Sequence, residues 1–150
     1  MSTYSKEKGS RAETAAKELL KKHTGYNWER TPLSGALDAK HGLSGDLYIP
    51  KKRNKYTVEV KHYAESGISH LLISGKTPII KSWWEQVIRE AKENENLPLL
   101  IFKHDRSKFY VATNIFDEEN YNKLIIKRSD FKLQVSLLED WLINTKPEFV

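Results

Sequence analysis

The chain has no cysteine among its 150 residues. Disulfide bonds, thiol nucleophiles and thiolate zinc sites are therefore excluded, and a reducing cytoplasm is the simplest location, which for a viral protein is the cytoplasm of its host. The chain also lacks any apolar run near the roughly 18 residues that span a membrane. Its first residues, Met1 to Lys8, are polar and charged, so a secretory signal is not expected. We predict a cytoplasmic protein without a membrane role.

Two common kinds of catalytic site are also missing. The five histidines contain no pair four residues apart, so a helical zinc site of that kind is not expected. Gly75-Lys76-Thr77 has the ending of a phosphate-binding P-loop, but His70 stands where the first glycine is required. The chain therefore shows no pattern for zinc catalysis or for P-loop nucleotide binding.

Positive charge is in excess. The chain has 25 Lys and Arg against 20 Asp and Glu, which gives a net charge of +5 and a pI near 9.3. Basic surfaces favour polyanionic partners, because binding releases the counterions condensed on nucleic acid. Lys51, Lys52 and Arg53 belong to the densest basic run. This run indicates either a DNA contact or a solvated turn, and a non-catalytic basic DNA-binding module is one interpretation of the whole chain.

The length predicts a single domain over residues 1–150. Apolar periodicity predicts two longer helices and a short final one, at 10–24, 78–94 and 135–144. It predicts strands at 26–31, 46–50, 55–62, 97–103, 109–113 and 124–127, with loops at 32–44 and 64–76. Helices alternating with strands and hairpins predict an α/β fold, a mixed sheet covered by helices. The helical crossover from strand 55–62 to strand 97–103 is long enough for parallel pairing.

Local signals refine two of these elements. Ser10 followed by Glu13 forms a capping-box pattern, which predicts that the first helix begins at Ser10. The run from Lys51 to Asn54 predicts the turn of a hairpin, with Asn54 tolerating a positive φ.

The strand predicted over 55–62 carries the most informative pattern. Side chains alternate along a strand, so Val58 and Val60 can enter a core while Glu59 and Lys61 share the opposite face. A second acid, Asp46, lies thirteen residues before Glu59. Two acids and a lysine on two neighbouring strands suggest metal-assisted chemistry on phosphate.

The chemistry fits these residue types. Asp46 and Glu59 supply carboxylate oxygens that suit Mg²⁺, with Mn²⁺ as a possible substitute, and the Val60 carbonyl is placed as a further ligand. Lys61 can orient a water molecule or neutralise a phosphate. Other interpretations are a turn residue for Asp46 and an ordinary surface salt pair for Glu59 and Lys61.

Asp46 followed by Glu59-Val60-Lys61 resembles the signature of the PD-(D/E)xK nuclease superfamily, although Ser44-Gly45 replaces the proline. Gly9 to Glu13 is similar to the entry of the first helix in archaeal-type Holliday-junction resolvases. The resemblance implies that Glu13 completes the metal site. Ser34 is similar to the mobile serine beside the active site of those enzymes, and Gln86 lies where resolvase-like and RecB-like members carry a glutamine.

The resemblance implies a restriction-endonuclease-like fold, a phage-type member, and Mg²⁺-dependent resolution of four-way (Holliday) DNA junctions by a homodimer. Thr14 stands where those resolvases often carry an arginine, so DNA contact there falls to Arg11 or Lys17, with further contact expected at Lys51, Lys52 and Arg53. A RecB-like exonuclease or another PD-(D/E)xK nuclease is the alternative enzyme. The resemblance ends near residue 103. Candidate residues for the dimer interface are Trp83, Trp84, Leu137, Leu138 and Trp141.

Overall fold

The structure is a computed structural model, which describes residues 3–32, 45–64 and 78–150. These residues form three helices and seven strands. The helices are α1 (Thr3–Thr24), α2 (Ile79–Glu93) and α3 (Leu138–Thr145). The strands are β1 (Glu29–Arg30), β2 (Leu47–Tyr48), β3 (Tyr56–Tyr63), β4 (Leu97–His104), β5 (Tyr110–Thr113), β6 (Lys123–Lys127) and β7 (Lys132–Leu137). Most of the predicted loops 32–44 and 64–76 lies outside the described residues.

All seven strands belong to one sheet, in the order β1-β2-β3-β4-β5-β7-β6. Strands β3 and β4 pair in parallel, and the other neighbouring pairs are antiparallel. Helix α2 provides the crossover between the two parallel strands, as such pairing requires. The predicted mixed α/β sheet, with its parallel pair at this position, is confirmed.

Apolar clusters lie on both faces of the sheet. On one face, Val58 and Val60 of β3 pack with residues of α1 and α3. On the other face, Trp84 and Val87 of α2 pack against Leu100 and other residues of β4, β5 and β7. Burying each such side chain contributes about 1.5–3 kcal/mol. Two covered faces fix the register of β3, because a slip by one residue would exchange its valines with its charged residues. None of the helices in the described ranges is long and apolar enough to cross a membrane.

The start predicted for α1 is wrong. The helix begins at Thr3, so Ser10 lies inside it and does not cap it. The residues before Ser10 include several good helix formers, and they extend the helix past the local capping pattern. Glu13 is therefore not at a helix start, and its side chain is available for tertiary contacts.

The helix predicted over 135–144 is wrong in its first three residues, which belong to β7. Leu133 and Val135 point into the α2 core, and β7 pairs with β6 as far as Ser136 and with β5 as far as Leu137. This pairing extends the strand to Leu137, and the helix begins at Leu138.

The predicted hairpin between β2 and β3 is present, with Leu47 opposite Val58. The positive φ, however, occurs at Lys51 (62°) and not at Asn54. The Asn54 side chain instead closes the turn: its oxygen accepts a hydrogen bond from the Ile49 N–H at 2.8 Å, and its nitrogen donates to the Ile49 carbonyl at 2.8 Å. An asparagine side chain can replace backbone hydrogen bonds in a turn in this way.

Candidate active site

Strand β3 carries polar side chains on the face that α2 covers. Thr57 is buried, Glu59 is 4% exposed, and Lys61 is partly exposed near the end of the row. Their neighbours on β4, Leu100 and Phe102, belong to the α2 core. The shared face predicted for Glu59 and Lys61 is therefore present, and it borders an apolar core that keeps the local dielectric low.

Residues of α2 and of the segment after it bind this polar row. The Lys61 ammonium donates to Gln86 Oε1 at 2.9 Å. Gln86 Nε2 donates in turn to Glu90 Oε1, one helical turn further on, at 3.3 Å. Asn96 Nδ2 donates to the Thr57 hydroxyl at 3.2 Å. The lysine is thus held by an amide whose orientation is set by its second hydrogen bond.

Asp46 is held against β3 by its own backbone and by that of Gly45. Gly45 has a φ of +79° and bridges to Val58, and a Cβ atom at this position would collide with the Val58 backbone. The Asp46 N–H donates to the Val58 carbonyl at 2.6 Å, and Asp46 Oδ2 accepts from the Val60 N–H at 2.8 Å. The carboxylate therefore lies at a fixed position beside the middle of β3.

Glu13 extends from α1 toward the same region. Arg30 of β1 binds one of its oxygens through both Nε and Nη2, each at 2.9 Å. Burial raises the pKa of Glu13, and the Asp46 carboxylate raises it further, whereas Arg30 and Lys61 lower it. Because the charges of Asp46 and Lys61 both act on the pKa of Glu13, these three side chains lie close enough to interact electrostatically.

Glu59 is surrounded by acids. Burial raises the pKa of Glu59 far above its usual range, and the adjacent carboxyl groups of Glu90 and Asp46 raise it further. In the described part of the chain, Glu59 forms no ion pair with a lysine or arginine. A buried carboxylate in this setting favours either a proton or a cation.

The donor set fits a hard divalent cation. Asp46, Glu59 and the backbone carbonyl of Val60 offer oxygen atoms, which Mg²⁺ and Mn²⁺ prefer. In residues 3–32, 45–64 and 78–150, no three His, Asp or Glu side chains are already close enough to form a metal cage. The assignment of Glu13, Asp46, Glu59 and Val60 as metal ligands therefore stays a prediction, supported by the acidic surroundings of Glu59.

Two other predicted site residues have different outcomes. Gln86 contacts Lys61, so the helix after β3 does bring it to the site. Ser34 lies outside the described residues, and its role stays a prediction.

The basic residues predicted to bind DNA lie at two places. Arg11 of α1 is exposed and lines a shallow groove of about 520 Å³ together with Ser10, Thr14 and Ala15. Lys17 follows on the same helix, with its ammonium 3.7 Å from Glu18. Both residues are on the helix that carries Glu13, so a DNA backbone bound along α1 would pass close to the site.

The second basic group is the turn between β2 and β3. Lys51 and Lys52 are exposed. Arg53 is also exposed, but its guanidinium donates to Asn96 Oδ1 at 2.8 Å and to the Asn94 carbonyl at 3.2 Å. Arg53 thus connects the turn to the end of α2 through hydrogen bonds. The sequence did not indicate this structural role.

Arg30 and Glu90 are site residues that sequence reasoning missed. Arg30 gave no signal, because its partner Glu13 lies on a different element and their contact is tertiary. Glu90 gave a weak signal: it lies four residues after Gln86, so the two share a helix face.

Three of the residues considered for a dimer interface are buried inside the chain. Trp84, Leu138 and Trp141 are 3%, 0% and 2% exposed. Trp83 packs partly against the α2 core, where its ring lies 6.0 Å from that of Phe102. The three buried side chains stabilise the fold and cannot form an interface, whereas Trp83 and Leu137 are partly exposed and stay candidates.

Comparison with known proteins identifies the family of this chain. The sequence model of a family described as "Phage putative PDDEXK endonuclease" matches residues 4–145. Protein D14 of Escherichia phage T5 is 35% identical over 156 aligned positions, which cover 99% of this chain and 98% of that protein. A solved structure of Archaeoglobus fulgidus Hjc, a Holliday junction resolvase, aligns with 91% of this chain and 89% of its own, at 15% identity and a TM-score of 0.43. From the family match and the phage relative, this chain belongs to the phage PD-(D/E)xK endonuclease family.

Proposed function

We propose that this protein is a Mg²⁺-dependent, structure-selective endonuclease that resolves four-way DNA junctions by paired nicks. The observation that carries the proposal is the arrangement around β3. Asp46 is fixed by the Val60 N–H, Glu59 lies buried beside it, and Lys61 is held on the same face by Gln86. Two acids that can hold a divalent ion, with an oriented lysine beside them, suit metal-assisted phosphodiester hydrolysis.

Each residue has a distinct role in this proposal. Asp46, Glu59 and the Val60 carbonyl hold the ion, and Glu13 completes its surroundings. A bound divalent ion would supply Lewis-acid stabilisation of the charge that develops on the phosphate. Lys61 donates hydrogen bonds that orient the attacking water, and it can accept or deliver a proton at Nζ. Gln86 orients Lys61, and Ser34 contacts the backbone of the DNA.

Electrostatics and symmetry support the choice of a branched DNA substrate. The net charge of +5 and the exposed Arg11, Lys51 and Lys52 favour a phosphate-rich partner. Recognition through phosphates positions a protein by the shape of the DNA and carries little base information. A homodimer would place two identical sites on the two strands that must be nicked.

The edge strand β6 is the surface we favour for this dimer. Leu124 and Ile125 are 52% and 44% exposed there. An apolar strand edge is a template for pairing with another chain, and a two-fold axis beside β6 would cover both copies. Sedimentation of the wild type and of the double variant Leu124→Asp, Ile125→Asp tests this surface, and a variant that remains dimeric contradicts it.

The activity test compares DNA shapes. Wild type, Asp46→Asn and Glu59→Gln are incubated with a four-way junction, blunt linear duplex and single strands, in Mg²⁺, Mn²⁺ or EDTA, with the exposed Glu118→Gln as control. We expect symmetric nicks near the branch point in Mg²⁺ and Mn²⁺. We expect no nicks in EDTA, and a loss of about a hundredfold or more in both site variants.

Two results would contradict the proposal. Degradation that depends on DNA ends would indicate a RecB-like exonuclease at the same metal site. If wild type cleaves none of these DNAs, or if both site variants cleave as wild type does, the chemistry assigned to β3 is wrong. Junction binding without cleavage would then favour a basic DNA-binding module.

A further inference from the structure

Glu90 of α2 is placed against the metal site, although the PD-(D/E)xK signature contains no such residue. Its carboxyl group is within hydrogen-bonding reach of that of Glu59. Glu90 Oε2 is fully buried and has no hydrogen-bond donor among the described residues. Glu59 is itself 4% exposed. The two acidic side chains thus face each other, with Glu59 and the Oε2 atom of Glu90 shielded from water.

The protein does not neutralise this pair with a cation of its own in the part that the structure describes. Glu90 forms no ion pair with a described lysine or arginine. The Lys61 ammonium on the same face donates to Gln86. Among the described residues, the side-chain donor that binds Glu90 is the amide of Gln86, at Oε1. Buried like charges without a counterion are strongly unfavourable, so the pair takes up either a proton or a cation from solution.

A divalent cation meets this requirement best. It accepts carboxylate oxygens from several side chains and neutralises two charges at once. Glu59 interacts with Asp46 as well as with Glu90, so an ion held by these carboxylates would be bound by the residue before β2, by β3 and by helix α2. Helix α2 approaches β3 as a rigid element, because its apolar face is anchored by Trp84 and Val87.

We propose that Glu90 is a further carboxylate ligand of the divalent-cation site, supplied by α2. This inference rests on the proposed function, because it assigns a ligand to the same site. Helix α2 would then have two functions: it orients Lys61 through Gln86, and it supplies a ligand of the ion through Glu90.

Metal binding without DNA tests the inference directly. Mn²⁺ binding is measured by isothermal titration calorimetry and by the loss of the free-ion signal in electron paramagnetic resonance. The variants are Glu90→Gln, Glu90→Asp, Glu59→Gln and the exposed Glu93→Gln as matched control on the same helix. We expect Glu90→Gln to weaken Mn²⁺ binding about tenfold or more, as the loss of a residue that supports a metal does. Glu90→Asp should retain part of the affinity, and Glu93→Gln all of it.

Thermal unfolding separates ligation from a structural role. In EDTA, Glu90→Gln should unfold at the wild-type temperature or above it, because the substitution removes a buried negative charge. Added Mn²⁺ should raise that temperature less in the variant than in the wild type. A variant that binds Mn²⁺ within twofold of wild type overturns the inference, as does a wild type that binds none. Junction cleavage by wild type, measured alongside, shows whether the proposed function stands in either case.

Discussion

Gly45 determines where the Asp46 carboxylate lies. Its positive φ turns the chain, and the absence of a Cβ lets the backbone approach that of Val58. This approach allows the Asp46 N–H and carboxylate to bind the Val58 carbonyl and the Val60 N–H. A residue with no functional group thus sets the distance between the two acids of the proposed metal site.

Replacing Gly45 with alanine should therefore damage both stability and the site. The new Cβ would meet the Val58 backbone, and alanine disfavours a positive φ, so we expect a loss of about 2–4 kcal/mol in the free energy of unfolding. Urea denaturation measures it. Gly9→Ala is the control, because a Cβ there has nothing within 4 Å. In the interior of α1 that substitution should stabilise by about 0.5–1 kcal/mol. Equal effects at the two glycines would refute the argument.

Gln86 acts on the chemistry through Lys61. Leucine at position 86 keeps a side chain of similar size but removes the acceptor of the 2.9 Å hydrogen bond to Lys61 Nζ. We expect the single-turnover rate of junction cleavage to fall about tenfold while junction affinity is unchanged, because a misplaced group costs rate and not binding. The exposed Glu85→Gln, one residue earlier on α2, should match wild type in both measurements. A parallel fall in affinity would indicate a binding role for Gln86.

At the scale of elements, Asp117 connects β6, β7 and α3. Its carboxylate accepts from Lys123 of β6, Gln134 of β7 and Thr145 of α3, at 2.9, 2.9 and 3.0 Å. The Tyr121 hydroxyl donates to it as well, at 2.7 Å. One acid therefore connects three elements of the part of the chain that lies beyond the resemblance.

This network predicts a specific pH dependence. Burial alone would raise the pKa of Asp117, but the hydrogen bonds from Lys123, Gln134, Tyr121 and Thr145 hold it well below its usual range. Because the folded pKa is lower than the unfolded one, the stabilisation is present above about pH 4 and is lost as the pH falls toward the folded pKa.

Asp117→Asn should therefore be less stable than wild type by about 1–3 kcal/mol near neutral pH, with a smaller difference in acid. Urea denaturation across the acid range measures both. The exposed Glu118→Gln is the control and should follow wild type at each pH. A difference between Asp117→Asn and wild type that stays constant with pH would contradict the assignment of the effect to the ionised carboxylate.

The elements show what the sequence can and cannot predict. Alternating valines in β3 and the apolar stripe of α2 are strong periodic signals, so both elements and their parallel connection were predicted correctly. The start of α1 was not, because a capping pattern at Ser10 competes with helix formers before it. The contacts of Arg30 and Glu90 were missed since they join residues on different elements, and periodicity along one element carries no information about such contacts.

At the scale of the whole molecule, excess positive charge should govern how tightly junctions are bound. Neutralising a phosphate releases counterions, so the logarithm of the binding constant falls with the logarithm of the salt concentration, with a slope of about −0.9 per contact. If Lys51 and Lys52 each contact a phosphate, replacing both with alanine should reduce that slope by about 2.

Fluorescence anisotropy with a labelled four-way junction, in Ca²⁺ or EDTA over a range of salt, measures the slope. Lys108→Ala with Lys132→Ala removes the same charge from two exposed positions away from this turn and outside β6, and so tests the effect of net charge alone. We expect the turn variant to lose more slope than this control, because counterion release requires contact and long-range attraction is screened beyond about 10 Å at moderate salt. Equal slopes in the two double variants would mean that the β2–β3 turn is solvated and does not contact the DNA phosphates. The DNA backbone would then have to be bound along α1, by Arg11 and Lys17.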